Sequence, residues 1–199
     1  MIRNRKNILL AIIFLLNACV SYELVEPVKR DIGSFYSVEP QIAWSRAAHG
    51  KIEIWTVDGP ALEAIHFFNG IGDGETLFTA YGQQKEKLPL FKKDMTANEV
   101  MEFIVDSIMA QGPPGLVGRH LKGTGAQTMH LRPFKFGDHP GYRFELSFLS
   151  QEGLEYEGFV VGTIKDDKLY LICYTGTRLY YYPKYKEYVE QMIASIDML

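Results

Sequence analysis

Hydrophobic and polar positions along the chain follow two periods, and their order predicts a fold. Residues 34–38 are short and β-prone. Residues 42–47 and 51–57 flank a break at Ala48-His49-Gly50, the pattern of a β-hairpin. Residues 62–70, with Ile65, Phe67 and Phe68, predict another strand. Gly70, Gly72 and Gly74 then break the pattern and open a long loop to about Asp94. A helical period predicts a helix over 97–111, with Val100, Phe103, Ile104, Ser107 and Ile108 along one face. Thr96 stands as its N-cap and Glu99 three residues on completes a capping box. Gly112, Pro113, Pro114 and Gly115 end that helix, and a loop with Gly118, Gly123 and Gly125 follows.

From Ala126 the alternation is that of strands. Met129 and Leu131 lead to Phe134 and Phe136, and a turn at residues 137–141 follows. Tyr142, Phe144, Leu146 and Phe148 then share one face, with Arg143, Glu145 and Ser147 on the other. Residues 156–165 and 168–175 continue the pattern across a tight Asp166-Asp167 turn. Short connections make neighbouring strands antiparallel, so this region predicts a four-strand meander. A last helix is predicted over 183–198, with Pro183 in its first turn and Tyr185, Val189, Met192, Ile193 and Ile196 as its apolar stripe. The expected class is α+β, an antiparallel sheet packed by two main helices.

The amino end has a different pattern. Arg3, Arg5 and Lys6 precede nine apolar residues at positions 8–16. As a helix this run is about 14 Å long against a hydrocarbon core of about 30 Å, short for a span but suited to a secretion leader. Residues 20–33 carry no sustained period and read as a tether. Extended at about 3.3 Å per residue, it would reach some 45 Å. The expected organisation is therefore a leader over 1–18, a tether over 19–33 and a single domain over 34–199.

Composition then narrows the function. Of 199 residues, 47% are hydrophobic and 13% aromatic, enough for a core and too much for wholesale disorder. The formal charge of −3 argues against a nucleic-acid partner. Removing the leader takes three positive charges with it, leaving 18 basic against 24 acidic side chains, a net −6. Two cysteines, Cys19 and Cys173, are too few for a zinc cluster or a disulfide framework.

Two resemblances add to this. The apolar run ends in Leu16-Asn17-Ala18-Cys19, which resembles the lipobox of bacterial lipoproteins. That resemblance implies diacylglycerol on the Cys19 sulfur, cleavage after Ala18 and a membrane anchor of two or three acyl chains. It implies a domain in the cell envelope, and, in a Gram-negative cell, Val20 rather than Asp at the next position implies the outer membrane, facing the periplasm. The second resemblance is carried by Pro140-Gly141-Tyr142-Arg143 opening one long strand, Lys168-Leu169-Tyr170 opening the last, and a closing helix with Val189, Ile193 and Ile196. Over residues 34–199 this order resembles the PsbP-like α/β sandwich, whose members mostly bind or support other proteins.

Local chemistry offers few candidates. His130, Asp138 and His139 could meet across a hairpin as two nitrogens and a carboxylate, although turn chemistry accounts for the last two equally well. Cys173 falls on one side of an apolar strand with Leu169 and Leu171, and no histidine or positive charge near it in sequence would activate it. The glycines at 70, 72 and 74 lack the Lys-Ser or Lys-Thr of a P-loop, and Gly123-Thr124-Gly125 lacks a dinucleotide-binding context, so no cofactor is expected. Tyr180, Tyr181 and Tyr182 are the candidate partner-contact residues, because three consecutive tyrosines cannot all face the core. The expectation is an envelope lipoprotein whose domain binds an envelope protein or small ligand, or supports assembly. The rivals are an anchored envelope hydrolase and a lipid- or small-ligand-binding domain.

Overall fold

The computed structural model describes residues 22–78, 88–111, 126–150 and 153–199. Cys19 and the leader, the Gly-Pro run after residue 111, His120 and Gly123-Thr124-Gly125 lie outside the described residues. The strands are β1 (Glu23–Val25), β2 (Arg30–Ile32), β3 (Tyr36–Val38), β4 (Trp44–His49), β5 (Ile52–Thr56), β6 (Glu63–Gly72), β7 (Gln127–Phe136), β8 (His139–Leu149), β9 (Glu155–Lys165), β10 (Lys168–Thr177) and β11 (Asp197–Met198). The helices are α1 (Ala97–Gln111) and α2 (Tyr181–Ala194).

Eight strands form one antiparallel sheet in the order β1-β4-β5-β6-β10-β9-β8-β7, and a three-stranded sheet has the order β11-β3-β2. The class is α+β, and the four-strand meander is present as β7 to β10. Asp166 and Asp167 both take positive φ, as a two-residue hairpin turn requires. The capping box of α1 also forms: the Thr96 N–H donates to Glu99 Oε2 at 2.7 Å, and the Glu99 N–H donates to Thr96 Oγ1 at 3.4 Å.

Alternation along each strand divides the core between the two faces of the large sheet. On one face Trp44, Trp55, Ile65, Phe67, Phe159 and Ile172 pack beneath α2 and the small sheet. On the other, Phe68, Val160, Leu171 and Cys173 pack beneath α1, Phe78 and Phe91. β6 and β10 are covered on both sides, which is why they read as nearly continuous apolar runs. The outer strand β7 is mostly exposed, and its long free edge is interrupted by a bulge around His130 and by Pro133.

Three boundaries differ from the sequence reading. First, the described part of the expected tether, residues 22–33, is not free. β1 pairs with β4 and β2 pairs with β3, and Val25 and Ile32 are buried at 1% and 0% exposure. Three-residue strands are too short to show a period. Second, β6 continues through Gly70, whose positive φ accommodates a bulge opposite Tyr170, and ends at Gly72. Third, the last helix starts at Tyr181 and stops at Ala194 instead of running over 183–198. The Ser195 hydroxyl donates to Met192 O at 2.6 Å and accepts the Glu39 N–H at 2.7 Å. The chain then turns into β11, pairing Asp197 with Ser37 and Met198 with Tyr36, and the Leu199 N–H reaches Phe35 O.

Candidate functional site

The three consecutive tyrosines divide by their place at the start of α2. Tyr182 points into the core at 7% exposure and stacks on Tyr174 at 5.5 Å. The Tyr174 hydroxyl hydrogen-bonds the carbonyls of Tyr181 and Tyr182, fixing the helix start against the sheet. Tyr181 is half-buried, and Tyr180 is 59% exposed. Lys184 lies over the Tyr180 and Tyr185 rings and pairs with Asp58 at 2.9 Å, and the Tyr185 hydroxyl donates to the same carboxylate. The bonds from Tyr185 and Lys184 hold the Asp58 carboxyl below its ordinary range.

Tyr180 is part of a larger apolar rim. Leu179 beside it is 91% exposed, and Val57, Leu149 and Leu154 are also exposed. Leu149 closes β8 and the others lie on the β5–β6, β8–β9 and β10–α2 connections, at one end of the large sheet. Backbone hydrogen bonds from Thr177 to Leu62 O and from Arg178 to Glu155 O tie the three connections together. Tyr180 was legible in the sequence as one of a run. Leu179 carried no signal, because a single leucine after a strand reads as core.

Next to the rim, α2 and the strands β8 and β9 enclose a trough of about 580 Å³ lined by Glu145, Ser147, Glu157, Arg178, Tyr182 and Lys186. Arg178 is held by carboxylates there, whereas Lys186 lies over the Tyr182 ring at 5.3 Å without an ion pair among the described residues. Arg178 pairs with Glu155 and Glu157 at 2.8 and 3.0 Å, and His130 meets Glu145 at 3.0 Å, which holds that carboxyl below its usual range. Arg143 makes two hydrogen bonds to Glu190, at 2.6 and 2.5 Å, with its guanidinium 4.1 Å from the Phe159 ring centre. The sequence placed Arg143, Glu145 and Ser147 on a polar face, and α2 covers that face. A second hollow of about 540 Å³ lies on the α1 side, lined by His49, Ile52, Leu77 and Phe78 and edged by the Lys51–Glu75 ion pair.

The candidate metal cluster is not assembled. His130 sits at the β7 bulge facing Glu145, whereas His139 pairs with Phe136 at the far end of the same hairpin. Six residues of strand, about 20 Å, separate the two positions on β8. Among the described residues no three His, Cys, Asp or Glu side chains converge as metal ligands.

Cys173 is buried, and desolvation pushes its thiol up to about 12, so it is inert as a nucleophile. A histidine does stand beside it: the β6–β10 register sets His66 directly opposite. His66 is fully buried, neither ring nitrogen has a hydrogen-bond partner, and burial lowers its pKa to about 3. A neutral imidazole next to a neutral thiol is not a catalytic dyad. The glycine loop after β6 turns its amides inward, Gly72 N–H to the Glu75 carboxylate and Gly74 N–H to Phe91 O, so both serve the loop itself.

The fold therefore defines an α+β domain with an apolar rim and a charged trough. No protein-family model matches the chain, and no curated protein matches it. Among the described residues no helix is long and apolar enough to cross a membrane.

Proposed function

We propose that this protein is an envelope lipoprotein, anchored through acylated Cys19, whose PsbP-like domain binds a protein partner without catalysing a reaction. The observation that carries the binding half is the rim. Leu179 and Tyr180 stand out from loops that hydrogen bonds hold firmly, an arrangement suited to recognition because little order is lost on binding. Two further features favour binding over catalysis. The Cys173 thiol is deeply buried, and the trough's Arg178 is already held by Glu155 and Glu157. The leader, the Leu16-Asn17-Ala18-Cys19 motif and Val20 support the anchor and its outer-membrane address.

Metabolic labelling with an alkyne fatty acid tests the anchor: label appears on the wild-type chain and is lost in Cys19→Ala. An unlabelled wild type, or equal label on both, defeats it. A photo-crosslinking residue at position 179 tests the rim. It is expected to capture a discrete envelope protein that the same residue at position 51 does not. Identical products from the two positions would count against the rim.

A further inference from the structure

Where the fold begins fixes which side of the domain meets the membrane. β1 joins β4 at Glu23, only four residues after Cys19, and four extended residues reach about 13 Å. β1 runs antiparallel to β4, Glu23 opposite Arg46 and Val25 opposite Trp44, so the chain approaches β1 from the end that carries the β4–β5 turn. That end is opposite the rim.

The corner beside this approach is apolar and open. Val25 turns toward the α2 layer, so Leu24 faces the α1 side, where it is 61% exposed. Tyr22 is 45% exposed and Ile54 on β5 is half-buried. The hollow with Ile52, Leu77 and Phe78 continues this strip to the β4–β5 turn. Among the nearest charges Glu23 pairs with Arg46 at 2.8 Å and Lys51 pairs with Glu75, while Glu26 is exposed without an ion pair among the described residues.

We propose that this β1–β4–β5 corner is the membrane-facing surface of the domain, with Tyr22 and Leu24 in the headgroup boundary and the rim turned to water. The inference rests on the lipoprotein reading, which supplies the acyl chains. The short reach selects the bilayer as occupant. A leash of about 13 Å leaves no room for another folded domain, about 30 Å across, between strip and membrane. The net −6 of the mature chain does not prevent this, because acyl chains set the distance and Tyr22 and Leu24 stand exposed to enter the boundary.

The test uses full-length acylated protein carrying Leu24→Cys, His49→Cys or Tyr188→Cys, each labelled with an environment-sensitive fluorophore. The host is a vesicle of phosphatidylethanolamine and phosphatidylglycerol containing nitroxide-labelled acyl chains. His49 lies on the strip far from Cys19 in sequence, and Tyr188 lies on α2. Labels at 24 and 49 are expected to shift to the blue, to be quenched by the nitroxide, and to resist aqueous iodide severalfold better than the label at 188. Intact mass on the same samples reads the acyl adduct on Cys19. Adduct present with all three labels equally open to iodide overturns this inference alone. A blue shift without nitroxide quenching means a second copy covers the strip, and also overturns it. An absent adduct removes the lipoprotein reading, and the inference falls with it.

Discussion

His66 should govern how the protein responds to mild acid. Its imidazole is fully buried between Ile54 and Cys173, and both nitrogens lack partners. Burial lowers its pKa from 6.5 to about 3 in the fold. The unfolded chain therefore takes up a proton near pH 6.5 that the folded chain refuses until about pH 3, so stability falls as pH falls through that window. The slope approaches about 1.4 kcal/mol per pH unit, and the loss between pH 7 and 4.5 is about 2.5 kcal/mol. Asp58, Glu75, Glu99 and Glu145, all lowered by their partners, add acid sensitivity at lower pH, as the carboxylates protonate. Glu63, raised by burial, acts with the opposite sign. These groups are common to wild type and His66→Leu and cancel in the difference. Urea titrations at pH 7, 6, 5 and 4.5, followed by tryptophan fluorescence, should show the two stabilities diverging toward acid by about 2.5 kcal/mol in favour of leucine. At pH 7 the leucine variant should be at least as stable, since removing an unpaired buried polar group recovers about 1–3 kcal/mol. Parallel curves from pH 7 to 4.5 would refute the reasoning, because they would mean that His66 is solvated or paired.

Three other outcomes follow from buried contacts. Glu63→Ala strips the acceptor from the Val57 and Asp58 amides, while the Thr56 hydroxyl keeps the Glu63 carbonyl, and should cost about 1–3 kcal/mol by urea midpoint, with Glu63→Gln milder. Glu190→Ala leaves the 6%-exposed Arg143 without its two-pronged partner and should cost about 1.5–3 kcal/mol. The double change Arg143→Met, Glu190→Leu should restore most of that loss, and a double-mutant cycle with no coupling would show the pair to be idle. Gly162→Ala puts a Cβ 2.7 Å from the Tyr142 hydroxyl and 2.9 Å from Tyr170 O, and overpacking of about 1–3 kcal/mol should lower the thermal midpoint.

What the sequence disclosed was local. Thr96 and Glu99 define α1 within four residues, and Asp166-Asp167 defines a hairpin with its own turn chemistry. β1, β2 and β11 escaped because two or three residues cannot display a period and their partners are distant: Met198 pairs with Tyr36. The same distance hid His66 from Cys173, which meet only through the β6–β10 register. Arg143, Glu145 and Ser147 read only as the face opposite Tyr142 and Phe144, because the alternation of a strand records which side a residue takes and not what covers it. Glu190, which completes the Arg143 pair, lies 47 positions on. Of the rim, the tyrosine run was visible and Leu179 was not.

The closing of β11 on β3 has a consequence for biogenesis. A ribosome delivers the chain amino end first, so Tyr36 and Ser37 wait for the last three residues before their ladder is complete. The small sheet therefore closes only after the whole of α2 has been made. Until Asp197 and Met198 have been made, β3 has only β2 beside it. It also makes a carboxyl-terminal truncation of three residues a change to the sheet beside the amino-terminal strands, at the other end of the sequence.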